Sequence, residues 1–189
     1  MDPLFLSQSV YRALLDVMSR PGSVRSLRAD LYHIWPSGML AVAATLLDQE
    51  VGFCVLGDSG LSQAIKEVTG GRCTPLETAD FIFVTNGDSG GHIRHAKRGS
   101  QEYPDLGATI VYLVERLEGN AGHGAISLRG PGIEDRATPL IAGLGPQELS
   151  LVQEINNEYP LGIDLLLIDR ENKIMALPRS LRITSAKEA

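Results

Sequence analysis

Val10, Ala13, Leu14, Val17 and Met18 recur with a period near 3.6 residues, which predicts a helix carrying one apolar face. Ser7 or Ser9 stands where it could cap the start. Arg20-Pro21-Gly22 ends the helix, because proline cannot continue it and glycine lets the chain turn. A second helix is expected over 37–47. Its Ala41, Val42, Ala43, Ala44 and Thr45 are small, so it can lie close to neighbouring backbone as buried scaffold. After it, strand and helix alternate. Apolar runs at 51–56, 81–84, 108–114, 125–128 and 163–168 read as strands. Helical stretches fall at 61–68 and 146–158, the latter with Leu149, Val152 and Ile155 on one face. The last strand is expected at 175–177, joined to 163–168 through a polar turn at 169–173. This order predicts an α/β fold: a mixed β-sheet flanked by helices, closed by a hairpin, in a single domain over 1–189.

Composition narrows the function classes. With 43% apolar and 21% charged residues the chain sits at the globular average, which excludes wholesale disorder. Seventeen Lys plus Arg against 23 Asp plus Glu leave a net charge of −6, so the basic field that non-specific nucleic-acid binding needs is missing. Aromatics at 5% offer few stacking platforms, and no nucleic-acid partner is expected. Cys54 and Cys73 are too few for a disulfide scaffold. The longest nearly uncharged run, 31–47, contains His33, Pro36, Ser37 and Gly38 and falls short of the roughly 20 apolar residues of a membrane span. Met1-Asp2-Pro3 opens no signal-like stretch. The expectation is a soluble cytoplasmic protein with two free thiols.

Several motifs carry candidate chemistry. Gly87-Asp88-Ser89-Gly90-Gly91 spells the nucleophile signature of trypsin-like proteases, yet Gly57-Asp58-Ser59-Gly60 repeats the tetrapeptide, and each copy lies between an apolar run and a helix-like segment. Asp and Ser there are expected to cap helices by accepting the free N–H groups of the first turn. The only histidine before Ser89 is His33, in a setting unlike that protease family, and the protease reading is rejected. His92, Arg94, His95, Lys97 and Arg98 form the one basic cluster; it could take an anion, present a solvated face, or bring two histidines to a metal with Asp88 or Glu102 folding back. Arg129-Gly130-Pro131-Gly132 follows a strand, where backbone N–H groups can reach a phosphate, although the same residues also make a tight turn. Cys54 reads as a small core residue and His123 as a loop residue. None of Lys66, Lys97, Lys173 and Lys187 falls where a buried amine could hold pyridoxal phosphate as a Schiff base, and no cofactor is expected.

An ordered series of segments adds to this. Residues 10–22, from Val10-Tyr11-Arg12 to Pro21-Gly22, are followed by Thr45-Leu46-Leu47-Asp48, Ala79-Asp80-Phe81, and Gly99 with Tyr103-Pro104 and Gly107-Ala108-Thr109. Then come Leu128-Arg129-Gly130-Pro131-Gly132-Ile133, Tyr159-Pro160-Leu161-Gly162-Ile163-Asp164-Leu165 and Ala176-Leu177-Pro178-Arg179-Ser180. Together they resemble the PhnH family, a subunit of the bacterial carbon–phosphorus lyase system, over about 10–183. The resemblance implies a fold like that of the pyridoxal-phosphate-dependent transferases without the cofactor lysine. It implies a homodimer that joins PhnG, PhnI and PhnJ in a core assembly. That assembly displaces adenine from ATP with an alkylphosphonate, giving a ribose 1-phosphonate 5-triphosphate. The lead-in before the first helix is shorter than in many relatives. No catalytic residue carries over.

The expected function is therefore an accessory subunit of phosphonate catabolism without turnover of its own. A phosphorylated small molecule is a possible ligand at Gly130, Pro131 and Gly132, with Arg129, Arg179 and Arg98 as charge partners. Arg179→Ala is expected to weaken assembly or ligand retention more than folding. The alternative is a free-standing phosphate-ester or nucleotide-processing enzyme using the same loop catalytically.

Overall fold

The computed structural model describes residues 3–29, 36–120 and 126–185. His33, His123, Lys187 and the first residue of the strand expected at 125–128 lie outside them.

The first helix, α1 (Pro3–Ser19), begins earlier than expected and runs through Ser7 and Ser9, so neither serine caps it. Leu6 is buried along with Val10, Leu14 and Val17, and burial of that extra turn carries the helix past its internal serines. Proline at the first position fits, since its missing N–H would have no partner there. The strand β1 (Arg25–Ser26) follows, then α2 (Ser37–Leu46), buried from Gly38 to Ala43. Gly38 permits this burial: a Cβ there would stand 2.9 Å from Ile168 Cγ2. The chain continues through β2 (Gly52–Leu56), α3 (Ser59–Thr69), β3 (Arg72–Cys73), β4 (Phe81–Val84) and β5 (Thr109–Leu113). Next come β6 (Arg116–Asn120), β7 (Ile126–Arg129), β8 (Pro139–Ala142) and α4 (Glu148–Ile155). The closing strands are β9 (Asp164–Ile168), β10 (Lys173–Leu177) and β11 (Arg182–Ser185).

Among the described residues, seven strands form one mixed sheet in the order β1-β10-β9-β5-β4-β2-β3. The five from β3 to β9 are parallel, and β10 runs antiparallel between β9 and β1. The expected hairpin is β9–β10, its turn held by Asp169, which accepts the N–H groups of Glu171 and Lys173 at 2.9 Å each. Side chains alternate between two cores. Phe83, Val111 and Leu166 face α1, α2 and α3, whereas Ile82, Ile110 and Leu165 face α4 and the residues of β7 and β11. Both faces being covered explains why the central strands are uniformly apolar.

Three features depart from the sequence reading. The strand at 126–129 does not join the main sheet; it pairs with β11, beyond the strand expected to be last. A second small ribbon, β6 with β8, was not expected at all. The strands β6, β8 and β11 each offer the core only a residue or two, such as Leu117 and Ile183, too few to stand out as an apolar run. Among the described residues no helix is long and apolar enough to cross a membrane.

Candidate functional site

The two Gly-Asp-Ser-Gly segments leave neighbouring parallel strands at the same edge, because Leu56 at the end of β2 pairs with Val84 at the end of β4. From β2 the chain goes outward to β3; from β4 it goes inward to β5. Such a divergence at the carboxyl edge is where open α/β sheets leave a crevice. In the first copy Asp58 caps α3 as expected, its Oδ1 accepting the Gly60 N–H at 2.7 Å. The second copy differs. Asp88 accepts the Gly90 N–H at 2.8 Å and Ser89 Oγ accepts the Gly91 N–H at 3.2 Å, but only a short 3-10 turn, His92–His95, follows. The same oxygens close turns there without capping an α-helix.

Ser89 is instead part of a buried cluster. It is 3% exposed and donates its hydroxyl to Glu148, with Oγ 2.8 and 3.0 Å from the two carboxylate oxygens. Its backbone N–H reaches the same carboxylate at 3.0 Å, and the Tyr112 hydroxyl donates to Glu148 Oε2. Glu148 opens α4, where the helix dipole favours a negative charge. Burial, followed by the bond and charge of Glu148, pushes the Tyr112 phenol far above its ordinary range. Through Glu148, Ser89 and Tyr112 tie together the β4 loop, β5 and α4. Glu148 also lines a cleft of about 760 Å³ with Asp88, Gln147 and Ser150, across which Arg94 and Glu154 approach to 3.6 Å.

The basic cluster spreads out. His92 and His95 are exposed, and among the described residues no group of three or more His, Cys, Asp or Glu could hold a metal ion. Lys97 pairs with Asp80, whose second oxygen accepts the Gly52 N–H at 2.7 Å. Lys173 pairs with Glu171, and Lys66 is exposed. Cys54 is half-buried and Cys73 exposed; burial, then the neighbouring Cys73, raises the Cys54 thiol.

The loop residues separate between two clefts. Gly132, at φ +82°, lies against the carboxyl end of α1, where a Cβ would stand 2.2 Å from the Ser19 carbonyl oxygen. It lines one cleft with Arg20, Glu134, Asp135 and Arg136. Pro131 lines another, of about 650 Å³, with Asn157, Tyr159, Arg179, Ser180 and Arg182. Gly130 lies between them, packed on Leu181. Arg179 is firmly held: its Nε and Nη2 reach Asp164 Oδ2 at 3.1 and 2.5 Å, its Nη1 reaches the Pro104 carbonyl at 2.6 Å, and its backbone N–H reaches Asp164 Oδ1 at 2.8 Å. Arg98 meets the same loops through its backbone, its carbonyl accepting the Gly162 N–H at 3.0 Å, while its guanidinium lies 3.5 Å from the Arg94 carbonyl. Pro131 and Arg179 thus share a cleft, and the Arg98 side chain points to another partner. Arg182, which sequence reasoning missed, stands opposite Arg129 in the β7–β11 register. Its signal lay in a strand too short to read.

Residues 1–184 match the model of a family described as bacterial phosphonate metabolism protein (PhnH). The chain is 35% identical over 188 residues to the alpha-D-ribose 1-methylphosphonate 5-triphosphate synthase subunit PhnH of Rhizobium meliloti (strain 1021), covering 96% of this chain and 92% of that protein. It is 33% identical over 180 residues to a putative C-P lyase subunit protein, HtxG, of Stutzerimonas stutzeri, covering 93% and 85%.

Proposed function

From the premise that the chain belongs to the PhnH family of bacterial phosphonate metabolism proteins, we propose that it is an accessory subunit of a carbon–phosphorus lyase assembly. Its role is to support formation of ribose 1-methylphosphonate 5-triphosphate from ATP and an alkylphosphonate, in the cytoplasm. The observation that carries this reading is a match over nearly the whole length to two proteins each named as a subunit of such a system. In this reading the chain pairs with itself and joins PhnG, PhnI and PhnJ. Its body is that of a pyridoxal-phosphate-dependent transferase put to another use.

The reading includes a phosphorylated small-molecule ligand at the Arg129, Gly130, Pro131, Gly132 segment. Arg179 shapes the wall of the adjoining cleft, and Arg98 braces the loops behind it. Co-expression with the three partner subunits, followed by size-exclusion chromatography, tests the assembly. The chain is expected to elute with the partners in one complex. Elution apart from all three would contradict the reading.

A further inference from the structure

Arg129 and Arg182 are Cα partners in the antiparallel ribbon of β7 and β11. Directly opposite residues on such a pair project from the same face with Cβ atoms about 4.5–5.5 Å apart, and like charges in that position destabilise the ribbon. The next pair along, Leu128 with Ile183, is buried, so the two arginines share the outward face, and both are exposed. Among the described residues no carboxylate or carbonyl oxygen meets either guanidinium. Arg179, three residues before Arg182, differs: it has Asp164.

The cleft beside the pair is equally one-sided. Arg179, Arg182, Ser180, Asn157 and Thr184 line it together with the ring of Tyr159, and among the described residues no aspartate or glutamate does, in a chain whose net charge is −6. Glu134 and Asp135 line the other cleft, with Gly132. Two guanidinium groups on one face, unpaired among the described residues and next to a cleft whose described lining holds no acid, are what a multiply charged oxyanion needs, since each guanidinium can present two parallel N–H donors to it. We propose that Arg129 and Arg182 together bind the phosphate or phosphonate group of a small ligand whose remainder lies in the cleft between β11 and the end of α4. This rests on the ligand reading given above and narrows it. The anion sits on the ribbon face, Arg179 holds the cleft wall through Asp164, and Gly132 serves packing against α1. The pair trades stability of the empty ribbon for binding.

The test is isothermal titration calorimetry of the full chain with tripolyphosphate and with methylphosphonate, comparing wild type with Arg129→Gln, Arg182→Gln and, as a control at a distance, Lys66→Gln. Wild type and Lys66→Gln are expected to bind at least one probe alike, and each arginine variant about 10- to 100-fold more weakly. Without ligand, both arginine variants should melt about 1–3 °C higher than wild type, because the repulsion is gone. That rise also shows that they fold. If wild type binds neither probe, the ligand reading and this placement fall together. If wild type binds and both arginine variants bind as tightly, only this placement falls.

Discussion

At the scale of single residues, the Glu148 cluster makes the sharpest statement. A buried carboxylate is tolerable only when its oxygens are met, and Ser89 and Tyr112 supply those donors. Tyr112→Phe removes one donor and should cost about 1–3 kcal/mol in urea unfolding at neutral pH. The deficit should also depend on pH, with a definite sign. The folded phenol is held far above the ordinary value of 10.0, so above that pH the unfolded chain releases the proton and the folded chain keeps it. The contribution of Tyr112 is therefore complete below about pH 10 and declines by about 1.4 kcal/mol per unit above it. The gap between wild type and variant should narrow from pH 10 upward; a gap constant to pH 11.5 would contradict the assignment. The Asp58 cap was legible because its partner is two residues away. The Glu148 cluster was not, because its members are 36 and 59 residues apart and Tyr112 sits inside a uniformly apolar strand.

At the scale of elements, Arg179 fastens the amino edge of the sheet. Through Asp164 at the start of β9 and the Pro104 carbonyl ahead of β5, it ties three segments that lie far apart in sequence. Its side chain is only 13% exposed and that of Asp164 18%, so breaking the pair leaves a charge partly out of water. Arg179→Ala should lower stability by about 2–4 kcal/mol in chemical denaturation, between the surface and fully buried limits. The paired replacement Arg179→Met with Asp164→Leu should cost less than the single change. A melting temperature unchanged by Arg179→Ala would return the residue to the role in assembly or ligand retention expected from the sequence. The same distinction governs what the sequence revealed. The five strands β2, β4, β5, β9 and β10 showed as apolar runs because both faces of the sheet are covered there. Of the ribbon strands only β7 did, as 125–128; β6, β8 and β11 bury too few side chains to form an apolar run and depend on pairing across the fold. Arg182 therefore went unnoticed although its neighbour Arg179 did not.

At the scale of the whole molecule, the architecture is a sheet with helices on one face, and a helix and two ribbons on the other. At the carboxyl edge, where many α/β proteins work, hydrogen bonds join Ser89 and Tyr112 to Glu148 at the wall of the cleft of about 760 Å³. Membership in the PhnH family rests on nearly the whole chain, in keeping with a fold whose segments recur in order while no single short motif identifies it. The most direct measurement is the release of adenine from ATP in the presence of methylphosphonate, with the purified chain alone and with the other subunits of the assembly. The account predicts no release from the chain alone and release once the partners are present. Sustained release by the chain alone would contradict it.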